Sequence, residues 1–158
     1  MEGISPENQR ALASRYNATA IIIARQIFFS IILVTAVWFF APKADNSISQ
    51  QTLRTLWVLI IFLALGAFLL RRLFFRWDRL KDVTLLKGIS GLLVTLQTNA
   101  VILGFFATSL TIVGCVITIL SGEVFEMLRA GFVALIVFLI NFPRRAVWEK
   151  IVAGMEKV

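Results

Sequence analysis

Apolar residues in this chain gather into four long runs, separated by short stretches that hold most of the charge. Residues 18–40 form the first, broken only by Arg25 and Gln26; as a helix its 23 residues reach about 35 Å, enough for a hydrocarbon core of about 30 Å. Its far end, Ala36-Val37-Trp38-Phe39-Phe40, is too bulky for a signal-peptide cleavage site, so the segment is expected to be retained as the first span, TM1, over 18–40. Residues 42–49 carry a proline and Asn/Ser capping candidates and predict the largest loop on their side.

The second run, 56–70, is bracketed by Trp57 and by Arg71 with Arg72, as interfacial anchors bracket a span, and predicts TM2 over 54–72. Residues 100–120 carry no charge and follow a more polar lead-in from Gly88 to Asn99, so TM3, over 92–120, is the longest span predicted. The fourth is short. Only 130–142 is uncharged before Pro143-Arg144-Arg145, about 20 Å of helix, so TM4 must begin near Val124 and carry Glu126 and Arg129 at its outer end.

Orientation follows from the basic residues. Arg10, Arg15 and Arg25, the central Arg71, Arg72, Arg76, Arg79, Lys81 and Lys87, and the tail's Arg144, Arg145, Lys150 and Lys157 fall on one side. Lys43, Arg54 and Arg129 fall on the other, and the positive-inside rule places both termini in the cytoplasm. Trp38 and Trp57 then mark the outer interface, Trp77 and Trp148 the inner one. The expected class is an all-α integral membrane protein of four transmembrane helices in two tandem hairpins, N-in and C-in, in a bacterial cytoplasmic membrane. Residues 1–17 form a cytoplasmic N-terminal segment, 18–87 the first hairpin with its basic loop, and 88–158 the second with an amphipathic tail. The internal duplication rests on Asn17-Ala18 matching Asn99-Ala100, Arg54 matching Arg129, Arg71-Arg72 matching Arg144-Arg145, and Trp77 matching Trp148.

Composition agrees: 59% of the 158 residues are hydrophobic and 16% charged, against about 45–50% and about 25% in soluble domains. There is no His, which removes a His-ligated haem or metal and a His general base; the lone Cys115 allows no intrachain disulfide or CxxC pair. Other bound groups stay open, including a lipid, a quinone or a magnesium pigment held by backbone, Asn or Gln groups. The net charge of +7 flanks the apolar spans and is read as topogenic and lipid-facing rather than as a nucleic-acid footprint.

The small four-span layout superficially resembles the proteolipid rotor subunits of proton-translocating ATPases. That family carries a mid-membrane carboxylate on the second helix of a hairpin, and neither 56–70 nor 130–142 holds an Asp or Glu.

Four groups of residues stand out. Arg25, Gln26, Gln97, Thr98 and Asn99 lie at comparable inner depths and form a candidate polar cluster across the hairpins, with Arg25 read as snorkelling or meeting a partner or lipid headgroup, or alternatively as a buried functional charge. Gly104, Thr108, Thr111, Cys115 and Thr118 recur every three or four residues as a seam for close helix packing, or alternatively as a hydroxyl stripe facing a pore. Glu126 and Arg129 are spaced to pair. Arg71, Arg72, Arg76, Trp77, Arg144, Arg145 and Trp148 are placed for lipid headgroups. With no set of nucleophile, base and metal ligands, a non-enzymatic role is expected. The reading is an accessory or structural subunit that binds other transmembrane subunits and anionic lipids; the alternative is a homo-oligomeric channel, rotor or transporter subunit.

Overall fold

A computed structural model describes residues 4–40 and 48–156. Most of the expected 42–49 loop, with Lys43, lies outside the described residues, as does Lys157. The described residues form five helices: α1 (Pro6–Phe40), α2 (Gln50–Phe74), α3 (Trp77–Ser121), α4 (Val124–Asn141) and α5 (Arg145–Met155). Four of the chain's helical stretches are long and apolar enough to cross a membrane, the character of a multi-pass membrane protein.

Local chemistry sets the helix ends. Ser5 caps α1, its Oγ accepting the Asn8 N–H at 3.3 Å, and Pro6 fills the first position, where a missing N–H costs nothing. Ser49 caps α2 in the same way, accepting from the Thr52 N–H at 3.2 Å. Gly122 ends α3 in the left-handed conformation at φ 71°, which satisfies the Thr118 carbonyl at 2.9 Å. Pro143 keeps α4 from running into α5.

Two helices are longer than their apolar runs. α1 begins at Pro6 rather than near residue 18, and α3 begins at Trp77 rather than near residue 92. Gly88, at φ 67° and ψ −174°, breaks α3 into an approach segment and a main shaft, a conformation a side chain would strain. The shaft, 89–121, is about 50 Å long and overshoots a bilayer core.

In cross-section α3 and α4 lie on the short diagonal of a rhombus, with α1 and α2 at its far corners. Both outer helices pack on α3 and α4, yet no Cα of α1 lies within 8 Å of one in α2. The expected first hairpin is therefore a connection without a packed pair, whereas α3 and α4 form a tight one. Small residues decide this: Gly114 faces Ala130 so closely that an added Cβ would collide with it, and Gly104 meets Gln26 and Ile23 of α1 in the same manner. The matching stretches of the first half are bulky, so the two halves, whatever their sequence correspondence, are not equivalent in packing.

The main core joins Ile23, Ile60, Ala107, Leu110, Ile117, Ala134 and Phe138 from all four long helices. α1 contributes along a single line, Leu12, Thr19, Ile23, Ser30 and Val37, whose steps of seven and four match the seam of near-parallel packed helices. A second core sits at the end where the basic residues gather. There Leu12, Leu80, Leu92, Leu93, Leu96, Trp148, Val152 and Met155 close α1, α3 and α5 together. The apolar face of α5 is consequently spent on the protein itself, correcting the expectation that the tail lies on a lipid surface; only Val147 of that face stays exposed. Outside, Phe28, Phe39, Phe40, Phe62, Phe105 and Phe132 leave the long helices clad in exposed apolar surface, as a hydrocarbon solvent requires.

Candidate functional site

Polar side chains collect at three levels of the bundle. At the basic end, the last turn of α2 and the α4–α5 connection bring Arg71 and Arg144 to one cleft of about 270 Å³. Its walls are Phe75, Ala100, Phe142, Pro143, Val147 and Ile151, with Trp148 and Asn141 beside them. Trp148 is 1% exposed, so it is not a lipid-facing anchor as its position near the span predicted. It stands edge-on to Tyr16 at 5.8 Å, and the Tyr16 hydroxyl donates to the Pro143 carbonyl at 3.3 Å. α1 thereby holds the start of α5 in place. At the other end of α5, Glu156 accepts from the Ser5 N–H at 3.2 Å and from the Asn8 amide, clamping the start of α1.

Among the described residues, the other basic side chains of this end are engaged separately or exposed at the surface. Arg145 pairs with Glu149 at 2.9 Å and Arg76 with Asp78 at 3.8 Å, while Arg79 lies over the Phe74 ring at 5.0 Å. Arg72 is exposed. Trp77, 49% exposed, rests on Gly154, where an added Cβ would meet its ring at 2.5 Å.

Between the basic end and the middle of the bundle, the five residues of the expected polar cluster do not come together. Gln97 accepts from Arg15 at 3.1 Å, not from Arg25. Asn99 is buried and donates to the Phe74 carbonyl at 3.4 Å, Thr98 is exposed, and Arg25 is exposed beside Phe29, Phe105 and Ser109. The reason is depth as well as rotation: Gln97 lies level with Arg15, ten residues before Arg25, and Gln26 lies level with Gly104, while consecutive residues step about 100° around a helix, so Gln97, Thr98 and Asn99 face three directions. Gln26 also turns inward, its Oε1 buried against α3 without a partner.

Four of the five seam residues, Gly104, Thr108, Thr111 and Thr118, are buried, and Cys115 is half-buried. Thr108 and Thr118 bond back to the carbonyls of Gly104 and Gly114, each at 3.0 Å, so their hydroxyls need no water. Thr111 differs. Its Oγ1 and the Ser30 Oγ are buried without partners where α1, α3 and α4 form an open groove of about 340 Å³, walled by Ile27, Val34, Leu128, Gly131 and Phe132. Gly104, in the predicted seam, is a position of close approach, as is Gly114, which was not in it; Gly114 stands beside Cys115 between Thr111 and Thr118 on α3 and faces Ala130 of α4, so that small-residue signal was readable.

At the opposite end Glu126 is 3% exposed despite its charge. Its Oε1 accepts from Arg129 at 2.7 Å and its Oε2 from the Trp57 indole at 2.6 Å, tying α4 to α2. The Trp57 partner escaped sequence reasoning, although both residues sit at the same expected depth. Trp38 meets Phe125 edge-on at 6.4 Å at this end. Among the described residues no group of three or more Cys, Asp or Glu gathers as a metal site.

Comparison with protein-family models, with characterised proteins and with solved structures finds no match.

Proposed function

We propose that the protein is a non-catalytic, multi-pass accessory subunit of a larger membrane complex, seated in a bacterial cytoplasmic membrane with its basic end and both termini inside. The observation that carries this reading is the open groove between α1 and α4. Two hydroxyls, Ser30 and Thr111, are buried there without partners, at a depth where water cannot serve them. A transmembrane helix of another subunit, laid along Gly131, fills the groove, and rotation of the Ser30 side chain brings its hydroxyl to a polar group on that helix. The closed short diagonal supports the same side of the argument. Gly114 against Ala130 leaves no lumen between α3 and α4, so a polar route through a single copy has no support.

The test is gentle detergent extraction of the protein at natural abundance, native separation and identification of what migrates with it. Unrelated subunits in fixed stoichiometry are the expected result, and Ser30→Trp, which fills the groove, should release them. Migration only as a ring of identical copies overturns the reading and points to ion or solute flux. Orientation is checked by labelling Asn8→Cys and Glu123→Cys, each in a Cys115→Ser background, expected to react from the cytoplasm and from outside, respectively.

A further inference from the structure

The cleft at Arg71 and Arg144 has the features of a binding site rather than of a structural ion pair. Two guanidinium groups line one space, and among the described residues neither has a carboxylate within 4.0 Å. The nearby acids are already committed: Glu149 to Arg145, Asp78 to Arg76, and Glu156 to the start of α1. Like charges brought together without a counter-ion repel, and a fold held otherwise by apolar contact gains nothing from keeping them so. An anion between them reverses the sign of that interaction, and arginine suits a phosphate in particular because its donors match two oxygens at once.

The walls of the cleft narrow the choice of anion. Phe75, Ala100, Phe142, Val147 and Ile151 are of no use to a free ion in water, but they complement the glycerol backbone and upper acyl carbons of a lipid. Arg71 stands in the last turn of α2 and Arg144 just beyond the end of α4, which is headgroup depth for two spans that finish there. Asn141 adds one more feature: its Nδ2 donates to the Val137 carbonyl while its Oδ1 is buried, unpartnered, in the wall of the same cleft. A rotation of the Asn141 amide offers that oxygen to a headgroup hydroxyl.

We propose that this cleft is a specific site for one anionic phospholipid, its phosphate between Arg71 and Arg144 and its chains descending past Phe142. The proposal deepens the anionic-lipid part of the functional reading and rests on the basic end lying at a headgroup layer. It is independent of which subunits co-migrate, so its failure and theirs are read in different experiments.

Native mass spectrometry of the purified protein in a neutral detergent, with phosphatidylglycerol or phosphatidylcholine of identical chains, tests it. Phosphatidylglycerol should be retained about tenfold more than phosphatidylcholine. Arg71→Gln with Arg144→Gln should abolish the preference, and Arg72→Gln with Arg145→Gln, neighbours outside the cleft, should leave it intact. Arg144→Gln alone, a change in an exposed connection that spares the packed helices, should lose several-fold and guards against misfolding of the double variant. Equal loss in both double variants would mean diffuse surface charge and would overturn the site. Equal retention of the two lipids would overturn it as well, and displacement of the lipid by millimolar inorganic phosphate would reassign the cleft to a free anion.

Discussion

Glu126 offers the sharpest quantitative test of how the bundle is held together. Its carboxylate accepts two hydrogen bonds, one from an exposed partner and one from a shielded partner. Arg129 is 67% exposed, so its pairing at 2.7 Å is screened and should contribute about 0.2–1 kcal/mol. The Trp57 indole donates at 2.6 Å to the oxygen of a side chain that is only 3% exposed. A bond to a charged group away from water is worth about 1.5–3 kcal/mol in soluble proteins, but double-mutant cycles within lipid give about 0.6 kcal/mol on average and about 1.7 at most. The expected coupling between Trp57→Phe and Glu126→Ala is therefore about 1–2 kcal/mol, with Glu126→Gln milder because it keeps the shape and one acceptor. Unfolding in mixed detergent micelles, followed by far-ultraviolet circular dichroism for the wild type, both single variants and the double, measures it. If the two changes add to within about 0.3–0.5 kcal/mol, the α2–α4 tie through this carboxylate does not exist and the reasoning fails.

Other outcomes follow from the same packing. Gly114→Val forces α3 away from Ala130 and should destabilise by about 1–3 kcal/mol in the same assay, whereas Gly66→Ala, on a helix face with nothing within 4 Å, should be neutral or stabilise by up to about 1 kcal/mol. Gly88→Ala meets no neighbour but must hold a left-handed φ, so a loss of about 1–2 kcal/mol is expected from strain alone; no loss would mean the break in α3 relaxes into continuous helix. Tyr16→Phe removes the bond to Pro143 and should cost about 0.5–1.5 kcal/mol. Glu156→Gln weakens the clamp on Ser5 and Asn8, and limited trypsin digestion should then cut faster at Arg10; an unchanged rate would show that the second core alone holds α1 down.

Much of the architecture was legible because the bilayer constrains sequences severely. A span must be apolar for about 20 residues, and the runs at 18–40, 56–70, 100–120 and 130–142 meet or approach that length one by one. The spacing of Glu126 and Arg129 placed them side by side on one helix, where a pair is a local matter of three residues. The seam on α3 was visible for a related reason: small residues at helical spacing have few other uses in lipid.

What the chain's order could not disclose is which helix touches which. Chain adjacency favoured α1 with α2, but both pack on the α3–α4 pair rather than on each other, with Gly114 and Gly104 drawing their neighbours onto α3. Hydropathy also stops at the edge of the apolar runs, so it was blind to Leu12, Leu80 and Trp148, whose burial depends on α1 and α3 overshooting the spans to meet α5. Coarse depth was readable, but azimuth and the register between helices were not: Gln97 meets Arg15 rather than Arg25. Gln97, Thr98 and Asn99 share a level and face three ways, while Arg71 and Arg144, far apart in sequence, face one cleft. The sequence by itself determined the number of apolar helices long enough to span and the end at which positive charge collects, because each depends on local composition alone. The tertiary structure decided the pairing of helices and the grouping of polar side chains, because those depend on the rotation of each helix about its axis, which is set by the partner it packs against.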